Sequence, residues 1–126
     1  MSESQFTEGG IDYIELPAHD FDAVEAFYSR VFGWTFVDWG EEYRAFNDGR
    51  LDGGFFKSSL TSGQDDGAPL IIFRTAHLEQ LEAGVVAAGG VIVKPIFAFP
   101  GGRRFHFTDP CGNELAVWSD SLAVSA

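Results

Sequence analysis

The chain is poor in cysteine and in positive charge. It has one cysteine and five prolines in 126 residues, and only eight basic side chains against nineteen acidic ones. With Cys111 alone, neither an internal disulfide nor a cysteine-based zinc cluster can form. A net charge of −11 repels phosphate backbones and anionic lipid, which argues against nucleic-acid and membrane-surface partners. Long apolar runs are also missing. The longest, Ala83–Val93, is too short to span a bilayer and contains Gly84, Gly89 and Gly90. The start, Met1-Ser2-Glu3-Ser4-Gln5, has neither a basic nor an apolar leader segment, so the expectation is a cytoplasmic protein.

Apolar residues make up 45% of the chain and charged residues 21%, the range of an ordinary globular domain. One domain is expected over 1–126. Thirteen Phe, three Tyr and three Trp exceed what a small core needs, so some aromatics are expected to line a pocket. The acidity is concentrated early: residues 1–66 hold 14 acids and 4 bases, residues 67–126 hold 5 and 4.

Periodicity divides the chain into two similar runs. Ile11–Leu16 alternates as a strand. Asp20 stands at an N-cap, and Phe21, Val24, Phe27, Tyr28 and Val31 recur at helical spacing up to a Gly33 stop. Trp34–Trp39, Tyr43–Phe46 and Gly53–Lys57 read as strands, with Asn47-Asp48-Gly49 as a hairpin signal. Residues 59–68 have linker composition. The pattern then restarts: Leu70–Arg74 as a strand, Leu78–Ala88 as a helix stopped by Gly89-Gly90, then strands Val91–Lys94 (with Ile96–Phe99 as an extension past Pro95), Arg103–Phe107 and Glu114–Ser119.

An offset of 57 aligns the two runs. It takes Ile14 to Ile71, Phe21 to Leu78, Val24 to Leu81, Ala26 to Ala83, Gly33 to Gly90 and Phe36 to Val93. One offset matching strand, helix, stop and next strand implies an internal duplication. The fold class expected is α+β, two tandem βαβββ units, the first over about 9–58 and the second over about 69–120.

Several short patterns carry a family resemblance. They are Glu15-Leu16 followed by Asp20 and Ala26-Phe27-Tyr28, then Val31-Phe32-Gly33-Trp34, Ala88-Gly89-Gly90, and Phe107-Thr108-Asp109-Pro110-Cys111-Gly112-Asn113-Glu114-Leu115. Over roughly residues 9–120 the chain resembles the vicinal oxygen chelate superfamily, the glyoxalase, bleomycin resistance and extradiol dioxygenase fold, and looks most like its small bacterial glyoxalase-related members. The resemblance implies two units side by side, a curved mixed sheet around a cleft, and a homodimer. In metal-dependent relatives, four cleft positions hold His, Glu or Gln. They fall here on Tyr13, Leu70, Gly53 or Gly54, and Ala116, which supply one side-chain ligand at best. No metal and no other cofactor is therefore expected.

Alternation places the candidate cleft residues. If Phe105 and Phe107 face the core, Arg104 and His106 face the cleft; if Leu115 and Val117 face the core, Glu114, Ala116 and Trp118 face the cleft. Tyr13 and Glu15 join them from the first strand, with Phe46 and Phe55 as aromatic walls. His106 suits proton transfer, with Glu or Tyr neighbours to orient it, and is equally compatible with a histidine satisfied by a backbone carbonyl. Arg104 can offer a two-pronged donor to an oxyanion, or be satisfied by Glu15 or Glu114. Arg103 and Arg74 are expected nearby. His19 and His77 read as loop histidines, and Cys111 as a turn cysteine without a base to activate it.

The functional expectation is a small-molecule binding protein without a catalytic metal, whose ligand is anionic with an apolar or aromatic body. The alternative is a glyoxalase-related lyase or isomerase, either metal-free through His106 and Glu15 or using a divalent metal with atypical ligands. The catalytic residues are not specified by the sequence.

Overall fold

The computed structural model describes residues 7–120. The start that carried the targeting expectation lies outside them. The elements follow in order: β1 (Tyr13–Ala18), α1 (Phe21–Phe32), β2 (Thr35–Asp38), β3 (Tyr43–Asn47), β4 (Asp52–Lys57), then β5 (Ile71–Arg74), α2 (Leu78–Ala87), β6 (Val91–Phe99), β7 (Gly102–Thr108) and β8 (Glu114–Ser119). Two four-stranded sheets result, ordered β1-β4-β3-β2 and β5-β8-β7-β6. In each, the first strand pairs parallel with the last and the other pairs are antiparallel. Two βαβββ units in one α+β chain are what the restart of the pattern implies.

Local chemistry explains the helix ends. Asp20 Oδ1 accepts the Ala23 N–H at 3.1 Å, which satisfies a donor in the first turn of α1. At the other end Gly33 takes φ 74°, a left-handed conformation that side chains resist. There the Gly33 N–H reaches the Ser29 carbonyl and the Trp34 N–H the Tyr28 carbonyl, closing the helix.

One core serves both units. Phe21, Val24, Phe27 and Tyr28 form the buried face of α1. Tyr28 stacks on Trp34 at 4.3 Å within its own unit, while Phe27 packs on Phe107 at 5.8 Å and Phe32 on Phe73 at 4.2 Å in the other. Each fully buried side chain among them, such as Phe27 or Phe107, contributes about 1.5–3 kcal/mol, and the half-buried Phe32 and Phe73 contribute less.

A buried polar latch joins the units as well. Asp109 accepts the Cys111 and Asn113 N–H groups through Oδ1, and the Tyr28 hydroxyl and Asn113 amide through Oδ2. Asn113 also donates to the Pro17 carbonyl at 2.8 Å and accepts the Ser62 N–H. Burial holds the Asp109 carboxyl above its ordinary pKa, against the pull of these hydrogen bonds. Tyr28 is raised too, by burial first and then by Asp109. Residues 59–68 are thus not a free tether: Ser62 bonds both the Asn113 side chain and the Glu114 N–H.

The duplication slips in its later strands. β6 runs nine residues where β2 runs four. It continues through Pro95 because it is an edge strand, where a missing N–H costs no ladder bond, and two register shifts around Lys94 bend it.

Candidate functional site

Pleating assigns each sheet a helix-packed face and an opposite, concave one. On sheet one, Glu15 pairs with Gly54 and Gly54 with Ala45, so these share the concave face with Tyr13 and Tyr43. Phe55 pairs with Leu16 and is fully buried, and Phe46 stacks on Trp34 at 4.3 Å. Phe46 and Phe55 are therefore core residues, not cleft walls. The doublets Gly53-Gly54 and Phe55-Phe56 mask the period of β4, and only its register with β1 reveals which Phe turns inward. The exposed member, Phe56, lies on the concave side.

On sheet one the concave face holds a hydroxyl cluster. The Tyr13 and Tyr43 phenols stand 2.6 Å apart, and Tyr43 donates to Glu15 Oε2 at 2.9 Å. The Tyr43 ring lies over Gly54, where any Cβ would collide with its hydroxyl oxygen. Burial, reinforced by the Tyr13 and Glu15 contacts, holds the Tyr43 phenol well above its ordinary pKa, so it stays a donor. Tyr43 was not among the residues expected from the sequence. Its signal was the neighbour Arg44, which turns to the helix side and bonds Asp22 and Glu25 of α1.

The concave face of sheet two is crowded. Arg104 and His106 pair with Trp118 and Ala116, so they share that face. The Arg104 guanidinium lies over Phe97 at 5.5 Å and Phe99 at 5.8 Å. It has no carboxylate partner among the described residues, neither Glu15 nor Glu114, and its buried Nε has no hydrogen bond there. His106 is fully buried, with Phe97 at 5.9 Å from its ring. Its Nδ1 is 3.0 Å from Glu114 Oε2, while Nε2 has no partner among the described residues. The Nδ1 bond holds the Glu114 carboxyl below its ordinary pKa. Arg74 lies over Trp118 and pairs with Asp120. Arg103 faces α2 instead and pairs with Glu79, so it is not part of a cluster with Arg104.

The eight expected residues thus fall into three places. Tyr13 and Glu15 meet on sheet one, Arg104, His106, Glu114 and Trp118 meet on sheet two, and Phe46 and Phe55 are in the core. The two sets do not bond to each other. Between β1 and β5, the edge strands of the two sheets, runs an open groove of about 1520 Å³, lined by Tyr13, Glu15, Ile72 and Arg74 over Val31 and Phe32.

The donor set at the four family positions does not suit a metal. Tyr13 offers a phenol already hydrogen-bonded, Gly54 nothing, and Leu70 and Ala116 only hydrocarbon. Gly53 turns its face to the core, where a Cβ would meet Phe46. Among the described residues, no three His, Cys, Asp or Glu come together as ligands. Cys111 is buried, its thiol raised by burial, and it donates to the Asp20 carbonyl, an arrangement unlike a nucleophile's.

Paired βαβββ units with an open concave site define a class of small α+β proteins, and comparison specifies it further. Residues 10–117 match the model of the Glyoxalase/Bleomycin resistance protein/Dioxygenase superfamily, and the chain belongs to that family. It is 30% identical to the anthracycline biosynthesis protein DnrV of Streptomyces peucetius, over 98% of this chain and 51% of that protein. The chain spans about half the length of the curated relatives it matches. A glyoxalase-related enzyme from Fulvimarina pelagi superposes with a TM-score of 0.74 at 21% identity, covering 88% of each chain. The fosfomycin resistance protein FosX of Listeria monocytogenes superposes at 0.73 with 19% identity, over 87% of this chain and 89% of that one. It was solved with manganese(II) and 1S,2S-dihydroxypropylphosphonic acid.

Proposed function

We propose that this chain is a small-molecule binding protein that uses no catalytic metal, and that Arg104 holds an oxyanion of its ligand. The observation that carries this is the state of Arg104: a guanidinium lying over the rings of Phe97 and Phe99, without a carboxylate partner among the described residues, in a chain of net charge −11. In so acidic a protein, a cation left unneutralised at a concave face is suited to an anion from outside. Phe97, Phe99 and Trp118 around it suit a planar or apolar body. FosX, which shares the fold and was solved with a phosphonic acid, supports an anionic ligand on this scaffold.

A ligand screen by titration calorimetry tests the reading. Arg104→Ala should weaken anionic ligands by about 1.5–3 kcal/mol, the worth of a hydrogen bond to a charged group, and leave neutral analogues unchanged. Equal losses for both, or no anionic ligand of the wild type, would refute it.

A second reading has its own observation. Glu114 orients a buried His106 whose Nε2 is unpartnered among the described residues. Such a pair suits metal-free proton transfer in a lyase or isomerase, and His106→Gln would then abolish turnover while leaving ligand affinity intact. The cytoplasmic assignment belongs to the proposal too. A homodimer fits the edges of β1 and β5, which pair with no further strand among the described residues. A monomer by light scattering at micromolar concentrations would count against it.

A further inference from the structure

We propose that Tyr13, Tyr43 and Glu15 form a second ligand subsite that accepts only a hydrogen-bond donor, a hydroxyl or an ammonium group of the ligand. The argument is a count of protons. An ionised carboxylate has none to give, so the proton between Tyr43 and Glu15 is Tyr43's. A phenol has one proton, so Tyr43 can receive but not donate in its 2.6 Å contact with Tyr13. The proton in that contact is therefore Tyr13's. Both phenolic protons are spent inside the cluster. What remains toward the groove is a Tyr13 oxygen and a Glu15 carboxylate oxygen, acceptors both. A tyrosine at the mouth of a pocket commonly donates to a carbonyl; this one cannot.

The arrangement is held by the backbone. Tyr43 reaches Glu15 across β4 because position 54 lacks a side chain. At the equivalent register on sheet two, Ala116 lies between Ile72 and His106, and no acceptor cluster forms there. The subsite stands on sheet one alone. Joined with the Arg104 reading, on which this extension rests, it describes a ligand bearing an oxyanion and, apart from it, a hydroxyl or ammonium group.

Neutral and cationic probes separate the two readings, because they do not use Arg104. Binding of 4-ethylphenol, 4-ethylanisole and 4-methylbenzylamine is followed by NMR titration of the full chain. The wild type should bind the phenol or the amine about tenfold more tightly than the anisole, the fold-change of one charge-assisted hydrogen bond. The amine arm tells an ammonium-selective site from a hydroxyl-selective one. Tyr13→Phe, on a half-exposed edge residue, should reduce the preference without erasing it, because the Glu15 carboxylate still accepts. Tyr43→Phe should do more than weaken it: Tyr13 regains a free proton, so 4-methylacetophenone, a pure acceptor that the wild type rejects, should now bind. A wild type that prefers neither the phenol nor the amine to the anisole, or a Tyr43→Phe variant with unchanged selectivity, would overturn the proposal. Neither result depends on whether Arg104 binds an anion.

Discussion

The two units share a backbone plan and oppose each other in chemistry. Where unit one carries Tyr43 over Gly54, unit two carries Arg104 and His106 beside Ala116. The first concave face is open and presents acceptors. The second is lined by Phe97, Phe99 and Trp118 around a guanidinium without a carboxylate among the described residues, which can only donate. The helix-packed faces show no such divergence: both contribute Phe, Leu and Val to one core. A duplicated unit keeps the face its core requires, and the opposite face is free to change.

The comparison can be broken most severely at the latch that joins the units. Asn113→Ala removes the donor to Pro17 and the acceptor for Ser62, leaving buried groups unpaired. Urea denaturation should show a loss of roughly 3 kcal/mol. A loss confined to a few tenths would mean that the units are held by apolar packing alone.

The exchange of small residues between the faces comes next. Gly54→Ala drives a methyl into the Tyr43 phenol and should cost about 1–3 kcal/mol, pushing that phenol out of hydrogen-bond reach of Tyr13. The mirror change Ala116→Gly should cost only about 0.5–1 kcal/mol, the backbone entropy of glycine in a strand. Equal effects in chemical denaturation would show that the two positions are not distinguished by what lies over them.

Electrostatics sharpen the comparison more gently. Glu114 is held below its ordinary pKa mainly by its bond to His106, with the Gln64 N–H and Lys94 adding to it. The folded state thus binds the Glu114 proton less tightly than the unfolded chain. The resulting stability is present above the ordinary carboxylate range and is lost as pH falls through the folded pKa. The gap in stability between wild type and Glu114→Gln should accordingly be widest near neutral pH and close on acidification. A gap independent of pH would show that Glu114 acts by packing. Smallest of all is Arg74→Ala. The Arg74–Asp120 pair is more than half exposed, so thermal denaturation should register no more than about 0.5 kcal/mol.

Much of this architecture was legible in local sequence. Asp20 and Gly33 marked the limits of α1, and the offset of 57 exposed the duplication through β1, α1 and β2. The offset could not carry into the later strands, because the length of β6 depends on bulges that no local propensity announces. Arg104, His106, Glu114 and Trp118 were placed on one face by alternation, since β7 and β8 each carry an apolar pair on the other, Phe105 with Phe107 and Leu115 with Val117. Phe46 on β3 and Phe55 on β4 were misplaced for the converse reason: neither strand has such a pair of large apolar residues, and their facing is set by partners distant in sequence.

Residue type and short-range period suffice for the two-unit α+β plan, for the limits of α1 and for the residue types that stand at the family's ligand positions. Folding in three dimensions was needed to show that Arg104 meets no carboxylate among the described residues, that Arg103 turns to Glu79, and that Tyr43 spends its proton on Glu15. Those outcomes depend on strand register and on which side chain lies nearest each proton or charge, and register is a property of strands already paired.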